Sequence, residues 1–263
     1  QEHKSIVITI TGVNGDVKVE GGKQYYGEAI GIALFDGRRY PILPGDVANA
    51  STYEYPVRLK VIEGLYDTPT SWDKSLHVPA DIQKIVDTVK SLEDDGVRAV
   101  VTACGFFSVV QEILADAVNI PVFTSPLMMV PQIVRLIGSD RSVCIITASE
   151  RLLVSDYLIP VGIESNMPVR IVGMDSSAEY YATHMGGTRT TWDVDLQRKE
   201  LIEIVKNAVL RFPDIGALLL ECSQLPTFSA DIQDAVKLPI FDYIGFIDMI
   251  YLAVVQRRYS GIL

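Results

Sequence analysis

The sequence predicts an α/β protein of two similar lobes, each a parallel sheet flanked by helices, on two observations. Apolar stretches of strand length alternate along most of the chain with longer stretches whose apolar residues recur at helical spacing, which is the pattern of parallel sheets joined by helices. In addition, the segment AVVTACGFFSVVQEILADAVNIPVF recurs 118 residues later as ALLLECSQLPTFSADIQDAVKLPIF. An offset of nearly half the chain indicates duplicated lobes.

The first half of the chain gives three strands and two helices after an extension. Ile alternates with polar residues ahead of an Asn-Gly pair, which predicts a β-hairpin extension over residues 1–26. The unbroken apolar run at 29–35 is typical of a buried parallel strand, and the Pro- and Gly-rich residues 40–45 form a loop. The same patterns predict strands at 97–102 and 121–124 and helices at 79–94 and 108–118.

The second half of the chain repeats this alternation. Short apolar runs predict strands at 142–147, 169–174, 215–220 and 239–241. Helical spacing predicts helices at 131–137, from 149 onward, and at 196–211, 229–236 and 246–257. Residues 176–195, with a Gly-Gly pair and several Thr, are expected to form a loop at the rim of a cleft. We assign residues 27–124 and 242–263 to lobe one and residues 125–241 to lobe two.

Composition and charge narrow the class of ligand. The chain has 263 residues, a net charge of −10 and a pI near 4.8, which argues against nucleic acid or an anionic membrane as a partner, because both need clustered Lys and Arg. No apolar run approaches the length of a transmembrane helix. The three histidines lack metal-ligand spacing, and the glycine pairs lack a nucleotide-loop context. We therefore expect a small-molecule ligand, no metal and no cofactor.

The cysteines bear on compartment as well as on chemistry. Cys104, Cys144 and Cys222 are too few and too scattered for a disulfide framework, and the sequence has no CxxC pair. A reducing compartment is the default, so we expect a cytoplasmic protein. A homodimer or a higher homo-oligomer is the expectation for folds of this kind. Cys144 lies inside an apolar strand, where a cysteine serves as packing.

Cys104 and Cys222 hold equivalent places in the repeat, each at the carboxyl end of a strand and the start of a helix. Ligands bind at this edge of open α/β sheets, where helix N-termini offer free N–H groups and partial positive charge. A thiol there is expected to have a lowered pKa and to act as a base or an acid. Two such thiols facing one cleft would take a proton from one face of a carbon atom and return one to the other.

The residues around these cysteines carry a resemblance to a known family. T-A-C-G with a later I-P-V, and E-C-S-Q-L-P with a later L-P-I, resemble the Asp/Glu racemase superfamily, whose usual motifs are T-x-C-N-T and G-C-T-H. The similarity covers residues 27–257. It implies two pseudo-symmetric lobes with the active site in the cleft between them, no metal or pyridoxal phosphate, and Cys104 and Cys222 as the catalytic acid and base. Cys-Gly-Phe at 104–106 and Pro-Gly-Asp at 44–46 also resemble a branch that includes algal dimethylsulfoniopropionate lyases.

Two departures from the family motifs bear on the substrate. Gly105 replaces Asn, and Ser-Gln at 223–224 replaces Thr-His, so the groups that normally grip an amino acid are altered. Glu221 is expected to tune the Cys222 thiol or hold a substrate ammonium or sulfonium, or else to pair with a backbone amide. The candidate substrate-binding residues lie near the thiols, in the loop after the first strand, and, for Thr147, in a turn that could bind an anion after the strand at 142–147. Hydroxyls in such places also serve as helix caps, and Asp as a turn residue. These candidates are Asp36, Tyr40, Asp46, Thr102, Gly105, Phe106, Thr147, Glu221, Ser223 and Gln224.

Three functions are consistent with these residues. The first is a cofactor-independent racemase or epimerase of an amino acid or related small carboxylate, in which Cys104 and Cys222 move a proton at Cα. The second is a lyase that removes the same proton and expels a β-substituent, as in the cleavage of dimethylsulfoniopropionate to acrylate and dimethyl sulfide. The third is a non-catalytic protein that binds a small ligand and in which the cysteines have no role.

Overall fold

The structure, a computed structural model, describes residues 22–23, 26–68, 71–72, 74–185 and 189–262. These residues form two four-stranded sheets in which every strand pairing is parallel, and both sheets have the same strand order. The predicted α/β fold of two pseudo-symmetric lobes is therefore confirmed. The hairpin predicted for residues 1–26 lies outside the described residues, apart from residues 22, 23 and 26.

The first sheet has the order β2-β1-β3-β4. Its strands are β1 (Ile30–Asp36), β2 (Val57–Tyr66), β3 (Ala99–Thr102) and β4 (Val122–Phe123). Helices α1 (Pro79–Asp95) and α2 (Gln111–Ala117) cover one face of this sheet, and α8 (Tyr243–Val254) covers the other. Helix α1 begins with Pro at its first position and stops at Gly96, whose φ of 99° is the left-handed conformation that glycine adopts without cost.

The second sheet has the order β6-β5-β7-β8. Its strands are β5 (Ser142–Thr147), β6 (Val169–Gly173), β7 (Ile215–Leu220) and β8 (Ile240–Phe241). The helices of this half are α3 (Val130–Ile137), α4 (Ser155–Leu158), α5 (Ala178–Tyr180), α6 (Val194–Arg211) and α7 (Ser229–Val236). Shorter turns are of the 3₁₀ type at Ala50–Thr52, Ser75–His77, Gly105–Val110, Pro126–Met129, Ile159–Val161 and Leu225–Phe228, and of the π type at Tyr181–Met185.

The two lobes share one hydrophobic core. A single cluster of buried side chains runs from β1, through α1 and the turn after β3, into β5 and β7. A second cluster lies between the first sheet and α8. The cleft is thus formed by two sheets that pack through a common interior, while the lobe boundaries given above stay a prediction.

The sequence pattern does not predict β2. This strand forms the edge of the first sheet and its residues are mostly half-buried or exposed, so Arg58, Lys60 and Glu63 interrupt the apolar alternation that identifies buried strands. A strand of ten residues is therefore not predicted from hydrophobicity, because it lies at the edge of the sheet.

Four predicted boundaries are wrong. The last helix, expected over 246–257, spans Tyr243–Val254, with the Asp242 side chain accepting from Gly245 N–H as its cap. The helix expected from 149 onward begins at Ser155 instead, because Glu150 N–H donates to Asp175 and holds the residues after β5 in a turn. The helix expected over 108–118 is divided into a 3₁₀ turn and α2. The loop expected over 176–195 contains α5 and the π turn, with Ser177 accepting from Tyr180 N–H as the cap of α5.

Candidate active site

The two repeat cysteines line one cleft at the carboxyl ends of β3 and β7. Cys104 and Cys222 each come two residues after their strand ends, and each is followed by a 3₁₀ turn that leads into a helix. The empty space in the cleft, including the part that is open to solvent, is about 380 Å³. It is lined by Arg38, Tyr40, Asp67, Trp72, Ala103, Cys104, Phe106, Ala148, Tyr180, His184, Glu221, Cys222 and Ser223.

Burial raises the pKa of the Cys104 thiol well above its usual value, which is the opposite of the predicted lowering. The negative charge of Glu221 raises it further, and the backbone N–H of Phe106 opposes the rise. The prediction relied on the dipole of an α-helix, but a 3₁₀ turn follows the thiol and α2 begins only at residue 111. Desolvation of the thiolate therefore outweighs the stabilising N–H.

Burial raises the pKa of the Cys222 thiol as well, to about 12, and the charge of Glu221 again adds to the rise. Two groups oppose it, the Tyr180 hydroxyl, which lies 3.2 Å from Sγ, and the backbone N–H of Gln224. The Cys222 thiolate thus has more stabilising contacts than the Cys104 thiolate.

Glu221 is a buried carboxyl group beside both thiols, with an exposed fraction of 1%. Its Oε2 accepts a hydrogen bond from the Thr147 hydroxyl at 2.7 Å, while its buried Oε1 has no hydrogen-bond partner among the described residues. Burial raises the pKa of this carboxyl group to about 7, against the lowering effects of the Thr147 hydroxyl and the Ala148 backbone N–H. A Cβ atom at position 105 would overlap Oε1, so Gly105 makes room for this carboxyl group.

Arg38, from the loop after β1, connects the two cysteine turns. Its guanidinium donates to the backbone carbonyl of Ala103 at 2.8 Å and to the hydroxyl of Ser223 at 3.4 Å. It is held by ion pairs with Asp67 at 2.9 Å and with Asp46 at 3.3 Å. One side chain thus fixes the residue before the first thiol relative to the residue after the second.

Two groups of aromatic side chains line the cleft. Trp72 and Phe106 stack with ring centroids 5.9 Å apart, and the Tyr40 and His184 rings are 4.1 Å apart. Tyr180 stacks on His184 at 4.7 Å. Burial lowers the pKa of His184 to about 3, so its imidazole is neutral at pH 7. These side chains offer aromatic faces to a ligand, and the Arg38 guanidinium lies 6.0 Å from the centroid of the Tyr40 ring.

Several predicted site residues meet at the cleft. Tyr40, Phe106, Glu221 and Ser223 line it together with the two cysteines. Three others support these lining groups. Asp46 pairs with Arg38, Thr147 donates to Glu221, and Gly105 makes room for the same carboxyl group.

Other predicted residues have their side chains engaged outside the cleft lining. Asp36 accepts from Gly64 N–H at 3.0 Å, and the Thr102 hydroxyl donates to the Thr124 carbonyl at 2.6 Å. Gln224 accepts from the Gln197 side chain at 3.2 Å. The contact of Gln224 with the Cys222 thiol is made by its backbone N–H.

Arg38, Asp67, Trp72, Tyr180 and His184 line the cleft and were missed by sequence reasoning. Arg38 had a usable signal, since it lies in the loop at the carboxyl end of β1, at the sheet edge where ligands bind. Trp72 and Asp67 follow β2, which the hydrophobic pattern does not show. Tyr180 and His184 come from the segment read as a loop.

Two further features of the described chain concern ligands and membranes. Among the described residues no group of His, Cys, Asp and Glu is arranged to hold a metal ion. None of the helices in the described part is both long enough and apolar enough to span a bilayer.

Comparison with curated proteins finds similarity to dimethylsulfoniopropionate lyases. The chain is 29% identical over 234 residues to the enzyme from Durusdinium sp. clade D, which covers 84% of this chain and 75% of that protein. It is 27% identical over 231 residues to dimethylsulfoniopropionate lyase 7 from Emiliania huxleyi (strain CCMP1516), which covers 85% of this chain and 66% of that protein. The chain therefore matches about two thirds to three quarters of the length of these relatives.

Solved structures of other enzymes share the fold, and a family model matches the sequence. Allantoin racemase from Klebsiella pneumoniae superposes with a TM-score of 0.57 at 11% identity, covering 87% of this chain and 90% of that one. Unliganded arylmalonate decarboxylase has a TM-score of 0.54 at 18% identity, covering 88% and 94%. Residues 67–245 match the model described as Asp/Glu/Hydantoin racemase. With the duplicated sheets and the paired cysteines, this match shows that the chain belongs to the Asp/Glu/Hydantoin racemase family.

Proposed function

We propose that this chain is a carbon–sulfur lyase that acts on a small carboxylate with a sulfonium group on its β-carbon, and that dimethylsulfoniopropionate is such a substrate. The lining of the cleft carries the proposal. Two thiols lie among aromatic faces and carboxyl groups, and the cation of the described lining, Arg38, is already paired with Asp46 and Asp67. The similarity to dimethylsulfoniopropionate lyases supports the same reaction.

The charge of this lining fits a substrate that brings its own positive charge. At pH 7 His184 is neutral, and Asp67 and Glu221 lie beside the thiols. A sulfonium group is charged but has no N–H, so aromatic faces and an opposite charge hold it better than a set of hydrogen-bond acceptors. The replacement of the residues that grip an amino acid in the family motifs, at 105 and at 223–224, favours the same class of substrate.

Arg38 is suited to hold the carboxylate of this substrate. A guanidinium has five N–H donors, and hydrogen bonds to Asp46, Asp67, Ala103 and Ser223 use four of them. The remaining N–H is available to the substrate. Negative charge that builds on the carboxylate as Cα loses its proton would be stabilised by this contact.

In the elimination, we assign Cys222 as the base. Its thiolate takes the Cα proton, the C–H electron pair forms the carbon–carbon double bond, and the Cβ–S bond breaks so that dimethyl sulfide leaves with its electron pair. Acrylate and a protonated thiol remain, and the thiol returns its proton to solvent. Cys222 suits this role because Tyr180 and Gln224 both favour its thiolate. Cys104 then positions the substrate from the opposite side.

The pseudo-symmetric placement of the two thiols favours a second candidate, racemisation or epimerisation of a small carboxylate. Cys104 and Cys222 occupy equivalent turns of the two lobes and line the same cleft. In that reaction one thiolate removes the Cα proton and the other thiol returns a proton to the opposite face.

Proton NMR in D₂O distinguishes these reactions. The enzyme would be incubated with dimethylsulfoniopropionate, and separately with a panel of L-amino acids and hydroxy acids. We expect vinyl signals of acrylate and a methyl signal of dimethyl sulfide from the first sample. Loss of a Cα signal in the panel without new products would overturn the lyase proposal in favour of racemisation.

The third cysteine provides the matched control for this experiment. Cys144 is buried in β5 and is absent from the cleft lining. Cys144→Ala should therefore keep full activity, whereas Cys222→Ala should show no vinyl signal. Equal activity of Cys222→Ala and Cys144→Ala would refute a thiol base at this site.

A further inference from the structure

We propose that Glu221, in the space left by Gly105, is the counter-ion of the positive group of the substrate and makes the cleft selective for onium compounds. This inference rests on the proposed function in taking a substrate that is both cationic and a carboxylate. It goes further in naming the residue that recognises the cation.

The carboxyl group of Glu221 is built into the cleft with one oxygen free. The Thr147 hydroxyl fixes Oε2, while Oε1 is buried and has no hydrogen-bond partner among the described residues. A buried carboxylate oxygen without a partner is costly unless something compensates its charge. Because Glu221 lines the cleft, a cationic ligand there can supply that compensation.

The titratable groups that respond to the charge of this carboxyl group are thiols and phenols, and the groups that favour its ionised form are the Thr147 hydroxyl and the Ala148 backbone N–H. The charge of Glu221 raises the pKa of Cys104, Cys222, Tyr180 and Tyr243, after burial as the first cause in each case. These groups come from four different parts of the fold and all are neutral at pH 7. Among the described residues, no Lys or Arg forms an ion pair with Glu221.

Compared with the family motifs, this chain has a smaller residue at position 105 and a larger residue at position 221. Those motifs have Asn after the first cysteine and Gly before the second, whereas this chain has Gly105 and Glu221. The structure shows why the two changes belong together, since even a Cβ atom at 105 would overlap Oε1 of Glu221. A side chain at 105 and the carboxyl group of Glu221 therefore cannot both occupy this corner of the cleft.

Cation binding at Glu221 would also prepare the base. The charge of Glu221 raises the pKa of both cleft thiols, so a cation that offsets this charge lowers both pKa values. The thiolate would form more readily when an onium substrate is bound. Because the pKa of Glu221 is about 7, the preference for a cation should rise as the pH rises through 7, while the surrounding thiols and phenols stay protonated.

A pair of ligands of the same shape tests this inference by binding alone. One is 3-(trimethylammonio)propionate, and the other is 4,4-dimethylpentanoate, which replaces the nitrogen by carbon and has no positive charge. Affinities would be measured by isothermal titration calorimetry at pH 8 and pH 6. We expect the wild-type protein to prefer the cation by roughly tenfold at pH 8 and by less at pH 6.

The Glu221→Gln variant should bind the two ligands about equally at both pH values. It should bind 4,4-dimethylpentanoate at least as well as the wild type does, because the ionised carboxyl group no longer repels this anion, and this binding also shows that its cleft is intact. Glu93→Gln removes one negative charge on α1, away from the cleft, and should keep the wild-type preference. Absence of a preference in the wild type, or its persistence in Glu221→Gln, overturns the inference.

Failure of the proposed function would look different from failure of this inference. A Glu221-dependent preference for the cation, with no acrylate formed in the NMR experiment, would refute the lyase reaction and support the cation site. Acrylate formation, together with an unchanged preference in Glu221→Gln, would support the lyase reaction and refute the cation site.

Discussion

The turn that carries Cys104 and the turn that carries Cys222 occupy equivalent places in the two sheets but have different neighbours. Each thiol follows a parallel strand by two residues, precedes a 3₁₀ turn, and faces the backbone N–H of the residue two positions later. The residue before the thiol is Ala103 in one turn and Glu221 in the other. Duplication therefore explains the positions of the thiols, while their chemistry differs because the residues around them have diverged.

This difference indicates how one scaffold can serve two kinds of reaction. Two equivalent thiols suit a reaction that treats both faces of a carbon alike, whereas elimination needs one base and a place for the leaving group. Here Tyr180 adds a hydroxyl contact to Cys222, and Arg38 holds the carbonyl before Cys104. The asymmetry around the thiols thus supports elimination more than racemisation.

The largest expected effect separates the two thiols. If Cys222 is the base and Cys104 a positioning group, Cys222→Ala should lower kcat by about 10³-fold or more, and Cys104→Ala by about 10- to 100-fold. Formation of acrylate by both variants, at saturating dimethylsulfoniopropionate, measures this. Equal losses in the two variants would show that the turns remain functionally equivalent.

The same comparison shows what the sequence can and cannot predict. The strands before Cys104 and Cys222 are short apolar runs in a repeated segment, so both the fold and the placement of the thiols follow from local pattern. Arg38, Trp72 and Tyr180 lie outside the repeat, on segments whose position depends on packing between distant parts of the chain. The pKa of the thiols was predicted with the wrong sign because burial is a property of the folded cleft.

A second prediction concerns Glu221, the residue before Cys222. The equivalent residue before Cys104 is Ala103, which has no charge. Burial raises the pKa of Glu221 from 4.5 to about 7. Between these values the unfolded chain loses the proton while the folded chain keeps it, so the free energy of unfolding should fall as pH rises from about 4.5 to 7, by on the order of 3 kcal/mol. Urea unfolding at pH 5 and pH 8 measures this fall.

The variant for this measurement is Glu221→Gln, which cannot ionise. It should lose less stability than the wild type between pH 5 and pH 8, and the difference between the two slopes isolates Glu221 from other groups with raised pKa values, such as Asp46. Parallel curves for the two proteins would show that Glu221 is ionised throughout this range.

The smallest expected effect concerns Gly105, whose equivalent in the other turn is Ser223. The φ of Gly105 is not positive, so glycine is needed there for space and not for backbone conformation. Gly105→Ala should lower the free energy of unfolding by about 1–3 kcal/mol, because its methyl group overlaps Glu221 Oε1. Ser223→Ala, which loses a hydrogen bond of 3.4 Å to Arg38, should lower the free energy of unfolding by less.

A double variant tests whether the cause is steric. If Gly105→Ala, Glu221→Ala is no less stable than Glu221→Ala alone, the cause is steric, since the overlapping carboxyl group is then gone. A full additional loss in the double variant would place the requirement for glycine elsewhere in the turn.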